Sequence, residues 1–275
     1  MAQLQFELAD LQELVKIGKE EAIGTLTSLG FPTEETEDGK LNVEVTPNRP
    51  DALCVEGLAR ALNCYRSGKP VVYKAGKSGV KVSVDKSVAQ VRPAFGGAVV
   101  RGVKMTGSLV RSIMQVQEKL HETLGRKRRK VAIGMHDLGR VQPPFRYFAC
   151  GKREVLFVPL EMQERMTPEQ ILARHPKGVG YAHLVGEKCP MIADINGEVL
   201  SFPPIINGEL TKLTSKSTDL FIDATGTSQE AVGQAVNILC AMLADRGGKI
   251  EEISVNGKPY SLLEEKKWKL PAKEA

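Results

Sequence analysis

Several residue patterns on which active sites are commonly built are missing from this chain. Its cysteines, Cys54, Cys64, Cys150, Cys189 and Cys240, are odd in number, far apart and never spaced C-x-x-C. That argues against a disulfide framework or a zinc ribbon and fits a reducing cytoplasm. The four histidines form no H-E-x-x-H pair, which excludes the helical zinc-protease arrangement. No serine stands in a G-x-S-x-G turn, so a nucleophile-elbow hydrolase is excluded too. The glycine run HPKGVGYAH, with His175 and His183 at its ends, has no G-K-[S/T] and is not a phosphate-binding loop. No apolar run reaches membrane-spanning length, and MAQLQFELAD does not read as a signal peptide.

What is present is an ordinary globular composition. The chain has 275 residues, 42% hydrophobic and 26% charged, with a net charge of +5. That length supports one large or two medium domains. The mild basic excess suits an anionic partner without demanding one.

Along the chain, helical and strand-like stretches alternate without a clean βαβ period. The expected fold class is α+β with a mostly antiparallel or mixed sheet. A small N-terminal α/β unit is expected over 1–85, a larger mixed-sheet domain over 86–250, and a C-terminal strand and extension over 251–275, packing on the first unit. In the first, LADLQELVKIGKEEAIGTLTSLGF reads as two helical stretches with Gly30 as C-cap. KLNVEV alternates as a strand, and Asp51 is the expected N-cap of the helix in ALCVEGLARALNCY. Residues 76–90 read as a linker or loose edge strand. FGGAVVRGVKM, KVAIGMHD, FRYFAC, VLFVPL and KIEEISV read as strands. Ser108 is the expected cap of a helix burying Leu109, Ile113, Val116, Leu120 and Leu124. Capping boxes open helices at Thr167 and Thr227.

Two strands carry more polarity than a core needs. In CPMIADINGEVLSF, Asn196-Gly197 favours a two-residue type I′ hairpin turn, which sets Ile192 opposite Ser201. In DLFIDATGT, alternation puts Asp219, Phe221, Asp223 and Thr225 on one face and Leu220, Ile222 and Ala224 on the core face. Two readings stay open. Asp223 and Thr225 satisfy backbone groups ahead of the next helix, or Ser201, Asp223 and Thr225 line a polar pocket with Ile192 as an apolar wall. A buried carboxylate needs donors in either case.

Other candidates are weaker. Ser201 lacks a recognisable base. His136-Asp137 reads as a strand-end histidine held by its neighbours. The basic residues Arg126, Lys127, Arg128, Arg129 and Lys130 read first as a solvated helix end and second as a phosphate contact.

VTPNRPDALCVEGLARAL, AIGMHDLGRVQPPFRYFA, TPEQILARHPKGVGYAHL, VLSFPPIIN and FIDATGTSQEAVGQAVNIL together resemble segments of the phenylalanyl-tRNA synthetase β subunit, of the archaeal and eukaryotic-cytosolic type. The resemblance covers nearly the whole chain, in order. It implies a small first domain followed by a B3/B4-type editing domain, within a β subunit that continues well past the position of Ala275. It implies hydrolysis of mischarged Tyr-tRNA(Phe), with Ile192, Ser201, Asp223 and Thr225 matching the family's editing positions and Asn207 as a further substrate contact. The implied partners are tRNA(Phe), through 126–130, and the synthetase α subunit, with neither membrane nor DNA. No cofactor is implied for editing; ATP and magnesium would belong to the full synthetase, and aminoacylation is not expected from this chain alone. The alternatives are a non-catalytic tRNA-binding or scaffolding module and a small-molecule hydrolase.

Overall fold

The architecture follows from a computed structural model, which describes residues 2–264 and Lys269. The first unit comprises β1 (Ala2–Phe6), α1 (Leu8–Gln12), α2 (Lys19–Ser28), β2 (Thr33–Glu35), β3 (Leu41–Val45) and α3 (Val55–Ser67). Its three strands form an antiparallel sheet in the order β1-β3-β2. Gly30 follows α2 with φ +87°, the left-handed conformation its cap position requires.

The larger part contains β4 (Gly76–Val84), β5 (Ala94–Arg101), α4 (Gly107–Glu122), β6 (Val131–Asp137), β7 (Phe145–Gly151), α5 (Pro168–Arg174), α6 (Pro176–Tyr181), β8 (Lys188–Ala193), β9 (Val199–Phe202), β10 (Ile206–Asn207), β11 (Leu220–Gly226), α7 (Gln229–Asp245), β12 (Lys249–Val255) and β13 (Lys258–Pro259). The strands form one sheet in the order β10-β9-β8-β7-β4-β12-β5-β11-β6, with β13 paired to β12. The pairings β4–β12 and β4–β7 are parallel and the rest antiparallel, so the sheet is mixed and the class is α+β.

One face of this sheet packs under α4 and α7. Leu220, Ile222 and Ala224 of β11 lie there, in a core shared with Leu58 and Leu62 of α3. The other face curls around a second apolar layer, which gathers Phe221, Val99, Val82, Tyr147, Ile192 and Leu200 from strands spread across the sheet. That curl brings β9, near one end of the order, towards β11 and β6 at the other.

The two sheets are tied by buried charge as well as by the shared core. Glu56 of α3, fully buried, accepts from Ser112 Oγ at 2.6 Å and from Arg246 Nε at 2.8 Å. A carboxylate with two such donors meets the requirement for burial.

Several local expectations are corrected. The stretch 76–84, read as linker or edge, is β4 and lies inside the large sheet between β7 and β12. Its Val80 and Val82 bury on the curled face, an alternation hidden among lysines and glycines. The strand read at the start of 251–275 is β12, paired between β4 and β5 in the large sheet rather than on the first unit. Residues 265–268 and 270–275 of that expected extension lie outside the described residues. VLFVPL is not a strand; Phe157 makes an isolated bridge to Met166 and Pro159 makes one to Gly208. The caps shift by one to three residues. Cys54 caps α3, because Asp51 is bound by Arg49 within a preceding turn. Thr106 caps α4, while Ser108 Oγ bonds Glu13 at 2.6 Å. Ser228 caps α7, because Thr227 donates its N–H to the Lys130 carbonyl. The Thr167 capping box forms as expected.

Candidate functional site

The β8–β9 hairpin places Ser201, by a route different from the expected one. Asn196 and Gly197 do not form a two-residue turn. Asp194 and Glu198 close a three-residue loop, Gly197 N–H bonds the Asp194 carbonyl, and Gly197 takes φ +82°. Asp194 Oδ1 accepts the N–H groups of Asn196 and Glu198 at 2.8 and 2.9 Å, which favours the longer loop. The extra residue would slip the register by one. A bulge between Ala193↔Val199 and Ile192↔Ser201 restores it. Ile192 and Ser201 therefore oppose each other as expected, while Leu200 becomes the surplus residue and turns to the same side as Ile192. After Pro203-Pro204 the chain folds back, and Asn207 of β10 pairs with Ser201 from the other flank.

On β11, Asp223 is 1% exposed and pairs with Gly134 of β6. Its Oδ2 lies 2.7 Å from His136 Nε2, and His136 Nδ1 lies 2.7 Å from Thr211 Oγ1. All three side chains are buried. Gly134 is obligatory here: a Cβ at that position would run into Asp223 Oδ2 and stand 2.6 Å from His136 Nε2. The missing side chain is what lets the carboxylate lean across to the imidazole.

Ser201, Asn207 and Asp223 come together on a cavity of about 230 Å³, walled by Pro203, Pro204 and Ile205 and by one face of α4. This exceeds the roughly 150 Å³ cavity known to take up benzene. Ser201 Oγ is buried and has no hydrogen-bond partner among the described residues. The same holds for His121 Nδ1 and Arg128 Nε, which border the same cavity. Buried polar groups are almost always paired within a fold, and of the five buried side-chain atoms left unpaired among the described residues, these three belong to residues that border this cavity. Burial, followed by the nearby cations of Arg128, Lys177 and Arg92, pulls the His121 pKa down to about 3.

Two expected site residues lie elsewhere. Ile192 is fully buried in the apolar layer beneath, against Leu200 and Phe221, and does not line the cavity. Thr225 is also fully buried and off the cavity. Its Oγ1 and carbonyl accept from Arg92 at 2.9 and 2.7 Å, and the same guanidinium holds the carbonyls of Arg128 and Arg129. Thr225 thus reaches the cavity only through Arg92, by fixing the turn that carries Arg128.

The basic stretch is not a plain solvated helix end. Arg126, Lys127 and Arg128 take φ of 47°, 54° and 66°, a left-handed turn after α4. Arg126, Lys127 and Arg129 are exposed and Lys130 is half-buried, but Arg128 turns inward. Its Nη1 donates to the Ile205 carbonyl at 2.9 Å, and its guanidinium stacks over Tyr181 at 4.6 Å.

Sequence reasoning missed His121, Gly134, Arg92 and the inward role of Arg128, and set His136 aside. One signal was available. Met114, Gln117, Glu118 and His121 all border the cavity and recur at helical spacing along α4, beside the apolar stripe. Among the described residues no group of three His, Cys, Asp or Glu side chains comes together to hold a metal. No helix among them is long and apolar enough to cross a membrane.

No protein-family model matches the chain. Curated relatives do. A protein of Methanosarcina acetivorans named phenylalanine–tRNA ligase β subunit is 48% identical over 90% of this chain and 46% of its own length. One of Archaeoglobus fulgidus with the same name is 47% identical over 90% of this chain and 45% of its own length. The chain thus spans about half the length of the curated relatives it matches. Among solved structures, the crystal structure of an N-terminal fragment of the phenylalanyl-tRNA synthetase β subunit from Pyrococcus horikoshii aligns with a TM-score of 0.87. It is 33% identical, covering 94% of this chain and 78% of that one.

Proposed function

Because the chain belongs to the phenylalanyl-tRNA synthetase β-subunit family, we propose that its cavity is a proofreading site that hydrolyses Tyr-tRNA(Phe). The observation that carries this reading is the cavity on which Ser201, Asn207 and Asp223 come together, with the buried Ser201 hydroxyl left unpaired among the described residues.

An apolar synthetic pocket rejects an analogue with one extra hydroxyl only by about two orders of magnitude. Tyrosine is that analogue of phenylalanine. A second site with polar groups waiting for the phenol can sort on chemistry instead of size. Phenylalanine leaves those groups unpaired, at about 1–3 kcal/mol each, or roughly 5- to 150-fold. Ser201, Asn207 and Asp223 are the groups that would meet substrate or water, with Asp223 held in place by His136. Ile192 and Thr225 support this site from behind.

The ester is already activated. Its hydrolysis needs a positioned water and donors for the developing oxyanion, with no cofactor. Ser201 Oγ has no hydrogen-bonded base among the described residues, so in this reading water attacks directly. The exposed Arg126, Lys127 and Arg129 with Lys130 would meet tRNA phosphates. The α subunit would complete the synthetase in the cytoplasm, and ATP and magnesium would act there, outside this site.

The test is a deacylation time course on Tyr-tRNA(Phe) and Phe-tRNA(Phe), with the chain at high concentration or within the assembled synthetase. Faster release of tyrosine supports editing. Equal rates on both, with tRNA still bound, would leave a tRNA-binding module.

A further inference from the structure

The cavity has a corner that reading a tyrosine side chain does not explain. His121, 5% exposed on α4, accepts the Ile133 N–H on Nε2 at 3.0 Å. That bond fixes the neutral ring with its proton on Nδ1. Nδ1 is therefore a donor, and it has no partner among the described residues. The ring stays neutral at working pH, because burial and the surrounding cations hold its pKa down at about 3. Arg128 follows within the same turn, its N–H bonded to the His121 carbonyl at 3.2 Å. Carbonyls of Pro204 and Ile205 and the Glu118 carboxylate anchor its terminal nitrogens, while Nε–H is left buried and unpaired. Lys177 borders the same cavity.

His121 and Arg128 thus each keep one buried N–H without a partner among the described residues, beside Lys177 and the Glu118 and Glu161 carboxylates that line the same cavity, and neither N–H can accept a hydrogen bond. A neutral phenol does not need such a place. An oxygen that acquires negative charge does, and fixed donors stabilise that charge without reorganising.

We propose that His121 Nδ1–H and Arg128 Nε–H form the oxyanion-binding pair of the hydrolytic reaction. This rests on the editing reading above. Water adds to the ester carbonyl carbon, and the C=O π pair moves onto the carbonyl oxygen, which the two N–H groups hold. The oxyanion then collapses and the bond to the ribose oxygen breaks. That oxygen takes a proton delivered from the attacking water, leaving tyrosine and free tRNA. His121 transfers no proton at any stage.

Two near-isosteres separate this role from a structural one. His121→Asn keeps a donor at the position of Nδ1 but loses the acceptor for Ile133. His121→Gln keeps a group near Nε2 for Ile133 but loses the donor into the cavity. Single-turnover deacylation of Tyr-tRNA(Phe) is measured for wild type, Asn, Gln and Ala, with thermal unfolding alongside. We expect His121→Ala and His121→Gln to lose roughly 10²- to 10³-fold in rate. His121→Asn should stay within about tenfold of wild type despite a lower Tm. Retention by Gln with loss by Asn, or equal rates in all four, overturns the proposal. Should the wild-type protein not deacylate Tyr-tRNA(Phe), it is the editing reading that fails. The donor pair is then judged by binding of the phosphonate analogue of 3′-tyrosyl-adenosine. At least tenfold weaker binding to folded His121→Ala supports it, and unchanged affinity overturns it.

Discussion

Replacing Gly134 by alanine adds one methyl group where the structure has no room for it. The new Cβ would press on Asp223 Oδ2 and stand 2.6 Å from His136 Nε2. Neither partner can retreat easily. His136 is fully buried, fixed at Thr211 and stacked near Phe221 with ring centroids 6.1 Å apart. Asp223 sits mid-strand between β5 and β6. The carboxylate must swing into the cavity and give up the imidazole. Loss of a hydrogen bond involving a charged, buried group costs about 1.5–3 kcal/mol. Residual overpacking adds roughly 1–3 kcal/mol, giving a total of about 2.5–6 kcal/mol. At roughly 2–4 °C per kcal/mol for a chain of this size, Tm should fall by about 5–24 °C. A displaced Asp223 also fills the cavity, so the Tyr-tRNA(Phe) deacylation proposed for it should drop at least tenfold even well below Tm. Gly24→Ala is the control, because nothing lies within 4 Å of its Cβ position inside α2; it should gain roughly 0.5–1 kcal/mol. Thermal unfolding and deacylation are read together. A Gly134→Ala protein with wild-type Tm and wild-type preference for tyrosine would refute the claim that this glycine is there for the Asp223–His136 contact.

Other outcomes follow from the same geometry. Thr225→Val removes the oxygen that accepts from Arg92 Nε, so stability should fall by about 1.5–3 kcal/mol, with deacylation impaired through the Arg128 turn; unchanged urea unfolding would sink this. Replacing Arg126, Lys127 and Arg129 by alanine should weaken tRNA binding and lower the slope of log K against log[salt] by about 0.7–0.9 for each phosphate no longer neutralised. An unchanged slope would leave them as surface charge only. His121 is held neutral in the folded chain, with a pKa of about 3, and regains its ordinary value on unfolding. Below about pH 6.5 the unfolded chain therefore binds a proton that the folded one does not. Stability from this group is complete above about pH 6.5 and declines by about 1.4 kcal/mol per pH unit as pH falls towards about 3. His121→Asn should flatten that part of the pH–stability curve, and a curve parallel to wild type would contradict the assignment.

The sequence by itself determined what alternation and short-range chemistry can fix. The two faces of β11 were legible because side chains two apart share a face, which separated Leu220, Ile222 and Ala224 from Phe221, Asp223 and Thr225. The Ile192–Ser201 pairing was legible too, although the turn was not. A longer loop and a bulge cancel each other. Tertiary structure alone decided which polar residues meet. Only the curl of the sheet brings Ser201 of β9 to Asp223 of β11, across most of the sheet's width. The same closure buries Thr225 under Arg92 and turns Arg128 out of its basic run into the cavity wall. It also leaves His121 Nδ1 without a partner among the described residues. Alternation says which way a side chain points. Whether another strand, a cation or open space waits there is set by where distant segments pack, and no local pattern encodes it.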